Sequence, residues 1–186
     1  MDTSIKQQIV ISGVGGQGVL FVTGLLAEAA ILKGLPVFTS ETHGMAQRGG
    51  TVMSHVKVGQ FSSPLIRPLH ADGLLALKAN SLVQHGFYLK SKAWAAVNSS
   101  EKLAPDFAGP AFYVDADSLA QQIKNPKSAN LILLGFALAA TTKQFNAEKL
   151  FCSLEDIRTV LKKRLADKKK MLDAAIEAVE TGYNSL

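Results

Sequence analysis

Apolar positions along the chain fall into short runs that alternate between strand-like and helix-like spacing. Gln8-Ile9-Val10-Ile11-Ser12 is a β-branched run ahead of a glycine cluster, which predicts a buried strand. From Val19 to Lys33 apolar residues occur nearly all round, and the run ends at Gly34 with Pro36 just beyond, as in a buried helix with a glycine stop. Pro36-Val37-Phe38-Thr39 reads as a second strand. Thr51 to Val58 reads as a third, with Val52, Val56 and Val58 on one face. Strand, helix, strand in that order implies a right-handed parallel crossover.

The same alternation continues. Gly73-Leu74-Leu75-Ala76-Leu77 and Ala93-Trp94-Ala95-Ala96-Val97 predict buried strands separated by a helix across Asn80 to Gly86, and Ala111-Phe112-Tyr113-Val114 predicts another strand. Asn125-Pro126 opens an apolar helix through Thr141, proline being well tolerated at a first helical position. Three helices therefore close the chain. Ser153-Leu154-Glu155-Asp156 is a capping-box pattern, followed by a stripe of Leu154, Ile157, Val160, Leu161 and Leu165. Met171, Leu172, Ala175, Ile176 and Val179 make a second stripe before Gly182; both are packing faces.

The chain has 186 residues, 47% of them hydrophobic and 19% charged, enough to bury a core and suited to one domain spanning 1–186. The longest apolar run, Leu131 to Ala140, is half the roughly 20 residues a transmembrane helix needs. The polar Met1-Asp2-Thr3-Ser4 start leads straight into a strand pattern, so the expected address is cytoplasmic, with no membrane partner. The net charge of +5 is local: Arg48 to Lys92 holds six basic residues and one acid, Asp72, and the rest of the chain is neutral overall. Lys168-Lys169-Lys170 sits in a stretch whose acids nearly balance it, a solvated helix face. With 7% aromatics and no strong basic excess on one element with interleaved aromatics, nucleic acid is not an expected partner. A single cysteine, Cys152, is too few for an iron–sulfur cluster, and His43, His55, His70 and His85 show no ligand spacing, so no bound metal is expected.

Gly13-Val14-Gly15-Gly16-Gln17-Gly18 has the G-x-G-x-x-G spacing between a strand and a helix. Glycine removes the Cβ where the backbone turns sharply and where a phosphate must approach, and the amides at a helix start favour an anion. Three readings stay open: tight packing of helix on sheet, an anion or cofactor contact, and a dinucleotide site with Glu41, 23 residues after Gly18, as its acid. No His/Arg substrate set follows to complete a dehydrogenase.

A second motif, Ser40-Glu41-Thr42-His43-Gly44-Met45-Ala46-Gln47-Arg48-Gly49-Gly50, joins the second and third strands and is rich in hydrogen-bonding and charged groups. Together with the glycine loop and with Thr51 to Val56, it closely resembles the γ-type subunit of 2-oxoacid:ferredoxin oxidoreductases. The Glu-x-His-Gly-Met-Ala-Gln-Arg-Gly-Gly form is most like the β subunit of indolepyruvate:ferredoxin oxidoreductase. The resemblance runs on through Asn98, Pro105, the Asn130 to Ala140 helix and Gly182-Tyr183. It implies a three-layer, Rossmann-like α/β fold with a mostly parallel central sheet and C-terminal helices. It also implies the reaction: oxidative decarboxylation of a 2-oxoacid, an arylpyruvate such as indolepyruvate, on thiamine diphosphate with magnesium, the acyl group passing to coenzyme A and electrons to ferredoxin through iron–sulfur clusters. One cysteine and no Gly-Asp-Gly…Asn segment leave the clusters and thiamine diphosphate to a large α-type partner subunit, which would also meet ferredoxin.

On that resemblance Gly13, Gly15, Gly16, Gln17 and Gly18, with Glu41, Gln47, Arg48 and Gly49, are the candidate cofactor-binding set. Their ligand would be coenzyme A, the thiamine pyrophosphate region or the partner chain itself. Arg48 either grips a phosphate or carboxylate or pairs with Glu41. His43 either works beside the acyl group or braces its loop. No catalytic nucleophile is assigned, because the cofactor supplies the chemistry. Lys78 stands where such chains tend to carry glutamate. The chain alone is expected to be inactive; the rival readings are a stand-alone NAD(P)-binding dehydrogenase and a non-catalytic scaffold that closes a partner's active site.

Overall fold

A computed structural model describes residues 5–43, 50–103, 108–143 and 149–186. In chain order the elements are β1 (Gln7–Val14), α1 (Val19–Leu32), β2 (Val37–His43), β3 (Thr51–Val58), β4 (Ala71–Ala76), α2 (Ala79–His85), β5 (Leu89–Asn98), β6 (Ala111–Val114), α3 (Ala116–Gln122), α4 (Ala129–Lys143), α5 (Leu154–Arg164) and α6 (Lys169–Asn184). The strands form one sheet in the order β2-β3-β1-β4-β5-β6. β1, β4, β5 and β6 pair in parallel, while β3 runs antiparallel to both β1 and β2. Five strands therefore share one direction and only β3 opposes them, as expected for a mostly parallel sheet.

Two expectations need correction. β1 and β2 are parallel, but β3 lies between them, so the crossover through α1 skips a position in the sheet. β2 also does not stop at Thr39: Ser40 through His43 continue it and pair with His55 through Val52, so the first part of the second motif is strand rather than linker. β2 is an edge strand with side chains partly or fully open to water, and such a strand carries no apolar alternation to reveal it.

Side chains alternate across the sheet. Ile9, Ile11, Leu75, Trp94 and Ala96 point into the larger core, which is closed by α1, α4, α5 and α6. Val10, Leu74, Ala76, Ala95 and Val97 point the other way, into a smaller core closed by Leu82 of α2 and by Ile66. The helical layers are thus unequal, one short helix and an extended segment covering the second face. The larger layer is pinned where α4 crosses α6. A Cβ on Gly135 would overlap the Val179 carbonyl, and one on Gly182 the Ile132 carbonyl, so the two backbones touch directly.

Several predicted starts and stops hold. Gly34 takes the left-handed conformation (φ 70°) that ends α1. The Ser153 hydroxyl accepts from the Asp156 amide at 3.2 Å and the Asp156 carboxylate accepts from the Ser153 amide at 2.8 Å, completing the capping box of α5. Pro126 opens a single 3-10 turn, and α4 proper begins at Ala129. Helix α3 has no counterpart among the predicted elements; it buries only Ala116 and Ala120, too little to form a stripe.

Candidate functional site

At the carboxyl edge of a parallel sheet, helix starts and strand ends converge where neighbouring strands send their connections to opposite faces. Here that point lies between β1, which leads into α1, and β4, which leads into α2. A cleft of about 390 Å³ opens there, lined by Val14, Gln17, Leu77, Lys78, Asn98, Ser99, Asp115 and Asp117, among others. A smaller recess of about 170 Å³ shares Gln17, Leu77 and Asp117 with it and adds Gly16, Lys127 and Asn130.

The glycine loop forms one wall. Gly16 (φ 93°) and Gly18 (φ 81°) both occupy the left-handed region, where a Cβ is strained. Gln17 folds its carboxamide back across the turn, Oε1 accepting from the Val14 amide at 2.8 Å and Nε2 donating to the Leu77 carbonyl at 3.2 Å. A Cβ on Gly13 would come within 2.8 Å of that Gln17 oxygen, so Gly13 is needed for the fold-back. A Cβ on Gly18 would overlap Asn130 Nδ2, which donates to the Gly18 carbonyl at 3.4 Å. Gly15 differs: its φ is not positive, and among the described residues the nearest atom to an added Cβ is the Gly50 oxygen at 4.0 Å. Nothing described in this chain requires glycine at that position.

No side chain caps α1, and its first turn carries no acid. The amides of Gly16, Gly18, Val19 and Leu20 have no acceptor among the described residues. Unpartnered amides at the start of a 14-residue helix, beside an exposed glycine, fit an anionic group such as a phosphate.

Asn98, at the end of β5, braces the opposite wall. Its buried amide donates to the Leu77 carbonyl at 3.3 Å and to Asp117 Oδ2 at 2.9 Å, while its oxygen accepts from the Ala116 amide at 2.9 Å. Gln17 and Asn98 therefore meet on one carbonyl, that of Leu77, locking the ends of β1, β4 and β5 together. Asp115 caps α3 through Ser118, whose hydroxyl and amide hold its carboxyl below the usual range against the opposing effect of burial. The cleft thus has carboxylates on its α3 side and the Lys78 ammonium group, and the adjoining recess has Lys127.

The two sequence motifs meet. β2 ends at His43, which is level with Val52 of β3, itself level with Gly13 of β1. The returning end of the second motif touches the glycine loop directly, the Gly15 amide donating to the Gly50 carbonyl at 3.2 Å. Gln47, Arg48 and Gly49 lie outside the described residues, as does the side chain of His43. Glu41 is exposed on β2, two strand spacings or roughly 9.6 Å from β1, because β3 intervenes. A dinucleotide site places its acid on the strand next to the glycine loop, so the NAD(P) reading loses its geometric basis.

Sequence reasoning did not find Asp115, Asp117, Lys127 or the roles of Asn98 and Asn130 at this edge. Asp115-Ala116-Asp117-Ser118 carries a cap signature that marks a helix start; the Asn130 contact spans 112 residues and has no local signal.

No donor set for iron–sulfur clusters or for thiamine-bound magnesium is present: among the described residues no three His, Cys, Asp or Glu side chains gather. Cys152 is buried in the larger core, where burial, and to a lesser extent the Asp156 charge, push its thiol far above the ordinary range. No helix among the described residues is long and apolar enough to cross a membrane.

Comparison with known proteins bears on this arrangement. Residues 8–185 match the family described as Pyruvate ferredoxin/flavodoxin oxidoreductase. Indolepyruvate oxidoreductase subunit IorB of Archaeoglobus fulgidus is 31% identical over 200 aligned residues, covering 97% of this chain and 95% of that one. Ketoisovalerate oxidoreductase subunit VorA of Methanothermobacter thermautotrophicus is 28% identical over 94% of this chain but only 35% of its own length. The crystal structure of a keto/oxoacid ferredoxin oxidoreductase γ subunit from Geobacter sulfurreducens shares the fold, with a TM-score of 0.73 at 24% identity, over 95% of this chain and 96% of that one. The chain belongs to the pyruvate ferredoxin/flavodoxin oxidoreductase family and is similar to the IorB subunits of indolepyruvate oxidoreductase.

Proposed function

We infer that this chain is the small subunit of a 2-oxoacid:ferredoxin oxidoreductase whose substrate is an arylpyruvate such as indolepyruvate. The substrate class is supported by the similarity to IorB over nearly the whole of both chains. In such an enzyme thiamine diphosphate supports oxidative decarboxylation, iron–sulfur clusters lead the electrons to ferredoxin, and coenzyme A accepts the acyl group. The described residues do not fit the clusters or the thiamine magnesium, and those groups belong to a large partner subunit.

The contribution of this chain is the carboxyl edge of its sheet, turned toward the partner's active site. The carrying observation is the Gly15–Gly50 hydrogen bond, which brings the glycine loop and the second motif to one place. The amides of Gly16, Gly18, Val19 and Leu20 hold a phosphate of coenzyme A, and Lys78 and Lys127 supply positive charge along the cleft and the adjoining recess. Gln17 and Asn98 keep the loop and strand ends in register so that the amides are aimed before the ligand arrives. The scaffold alternative differs at one point: it gives this edge no ligand contact.

Co-purification tests the reading. Recovered from native extract, the chain is expected to bring with it a large brown iron–sulfur subunit, and the complex is expected to reduce ferredoxin with indolepyruvate or phenylpyruvate faster than with pyruvate or 2-oxoglutarate. Recovery as a free monomer, or preference for pyruvate, would sink the assembly or the substrate assignment respectively.

A further inference from the structure

Away from the carboxyl edge, the thinly covered second face of the sheet carries a surface that the proposed chemistry does not use. Residues 59–70 connect β3 to β4 across this face, beside α2 and the 3-10 turn at Gly86–Tyr88. Leu65, Leu69, Val83 and Phe87 are each more than half exposed there. They are contiguous: the Leu69 amide donates to the Phe87 carbonyl at 3.0 Å, Val83 lies one helical turn before Phe87, and Leu65 precedes Ile66, whose contacts lead through His55 to Tyr88 and Phe87.

Two features inside the chain hold these side chains out at a cost. Leu69 has φ 63°, a left-handed conformation that a leucine adopts only under constraint, and its side chain gains little burial in return. Beneath the segment, Lys57 is buried and donates to the Leu65 carbonyl at 3.1 Å while lying 4.5 Å from the Phe61 ring centroid, and the buried His55 accepts from the Ile66 amide at 2.8 Å. A lysine withdrawn from water to fix the carbonyl of an exposed leucine is a preorganised support. The charges bordering the face have one sign. Arg67 is exposed on it, and the only acid between Arg48 and Lys92, Asp72, is buried and paired with Lys90.

We propose that this face, centred on Leu69 and Phe87, docks onto the large subunit at an apolar patch rimmed with carboxylates. The apolar centre sets the affinity, and Arg67 at its rim sets orientation and salt dependence. This rests on the reading of the chain as one subunit of a larger enzyme. It adds a second contact, since Leu69 and Phe87 lie toward the amino ends of β4 and β5, opposite the glycine loop.

The test is titration of the purified large subunit with wild type, Phe87→Glu and Leu69→Gly. Phe87→Glu places a charge at the apolar centre and is expected to raise Kd about 100-fold, on the scale of an interface hot spot. Leu69→Gly relieves the left-handed strain, so the isolated chain stays at least as stable by urea unfolding, while Kd rises about 10-fold. A stable variant that binds worse is the outcome a merely structural role for Leu69 does not produce. Arg67→Glu is expected to flatten the salt dependence of Kd. If both apolar variants bind like wild type, this docking face is wrong and the subunit reading stands. If wild type itself does not bind the large subunit, both are wrong.

Discussion

Replacing Gly15 with alanine separates what the glycine loop does for the fold from what it does for a ligand. Gly16 and Gly18 have positive φ, so alanine there costs about 1–2 kcal/mol from backbone strain alone. At Gly18 the displaced Asn130 amide adds the loss of a weak hydrogen bond, bringing the cost to about 2–3 kcal/mol. At Gly15 neither term exists among the described residues: φ is ordinary and the added methyl sits 4.0 Å from the Gly50 oxygen. Gly15→Ala should therefore leave folding stability within about 0.5 kcal/mol of wild type, or raise it by up to ~1 kcal/mol through the unfolded state. Stability is read by urea unfolding of the isolated chain, followed by the fluorescence of its single, fully buried tryptophan, Trp94. Under the proposed function, the same methyl would enter the space a phosphate must approach. Overpacking of about 1–3 kcal/mol there corresponds to roughly a 5- to 150-fold rise in the KM for coenzyme A. A destabilisation above about 1.5 kcal/mol, or an unchanged KM in an assembled complex, would refute the assignment of Gly15 to ligand approach.

The crossing of α4 and α6 yields a sharper stability prediction: Gly135→Ala puts a methyl 2.8 Å from the Val179 carbonyl carbon, and because the obstacle is backbone the loss should reach about 3 kcal/mol or more, visible as a lower urea midpoint. A midpoint unchanged from wild type would mean that the helices are not in direct backbone contact. Acid should also weaken the fold. His55 is held below its ordinary pKa by burial first, then by His85 and Lys57, and burial likewise lowers His85. Lowered histidine pKa values mean that the unfolded chain binds more protons. The associated stability is fully present above about pH 6.5 and is lost as pH falls from there toward the folded-state values. Urea midpoints at pH 7.5 and 5 should differ in that direction, and the difference should shrink in His55→Phe; equal midpoints in wild type would contradict the buried, neutral state of both rings. Finally, Cys152 should resist maleimide until the chain is unfolded, since it is buried and its thiol stays protonated. Rapid labelling of the native chain would place it outside the core.

What could be read in the sequence follows physical locality. β1, α1, the Gly34 stop and the Ser153 capping box depend on neighbours a few residues apart, and all stand in the structure. Ser40 to His43 escaped as strand because an edge strand open to water shows no alternation, and α3 escaped because two alanines make no stripe. The direction of β3 is a property of pairing, to which its own residues are indifferent. At the site, the two motifs lie together at one edge of the sheet. The groups that brace it come from afar, Asn98 through Leu77 and Asn130 through Gly18, and their packing partners are set only when the sheet closes. The rarity of acids between Arg48 and Lys92 was plain in the sequence, but the exposed leucines beside those basic residues emerge only from the path of 59–70 over α2.

Reconstitution tests the subunit role most directly. Ferredoxin reduction is measured with indolepyruvate, coenzyme A and thiamine diphosphate for the purified chain alone, the large subunit alone and the two combined. Coenzyme A-dependent turnover is expected only in the combination. Turnover by this chain alone, or equal turnover by the large subunit without it, would contradict its role as a required subunit.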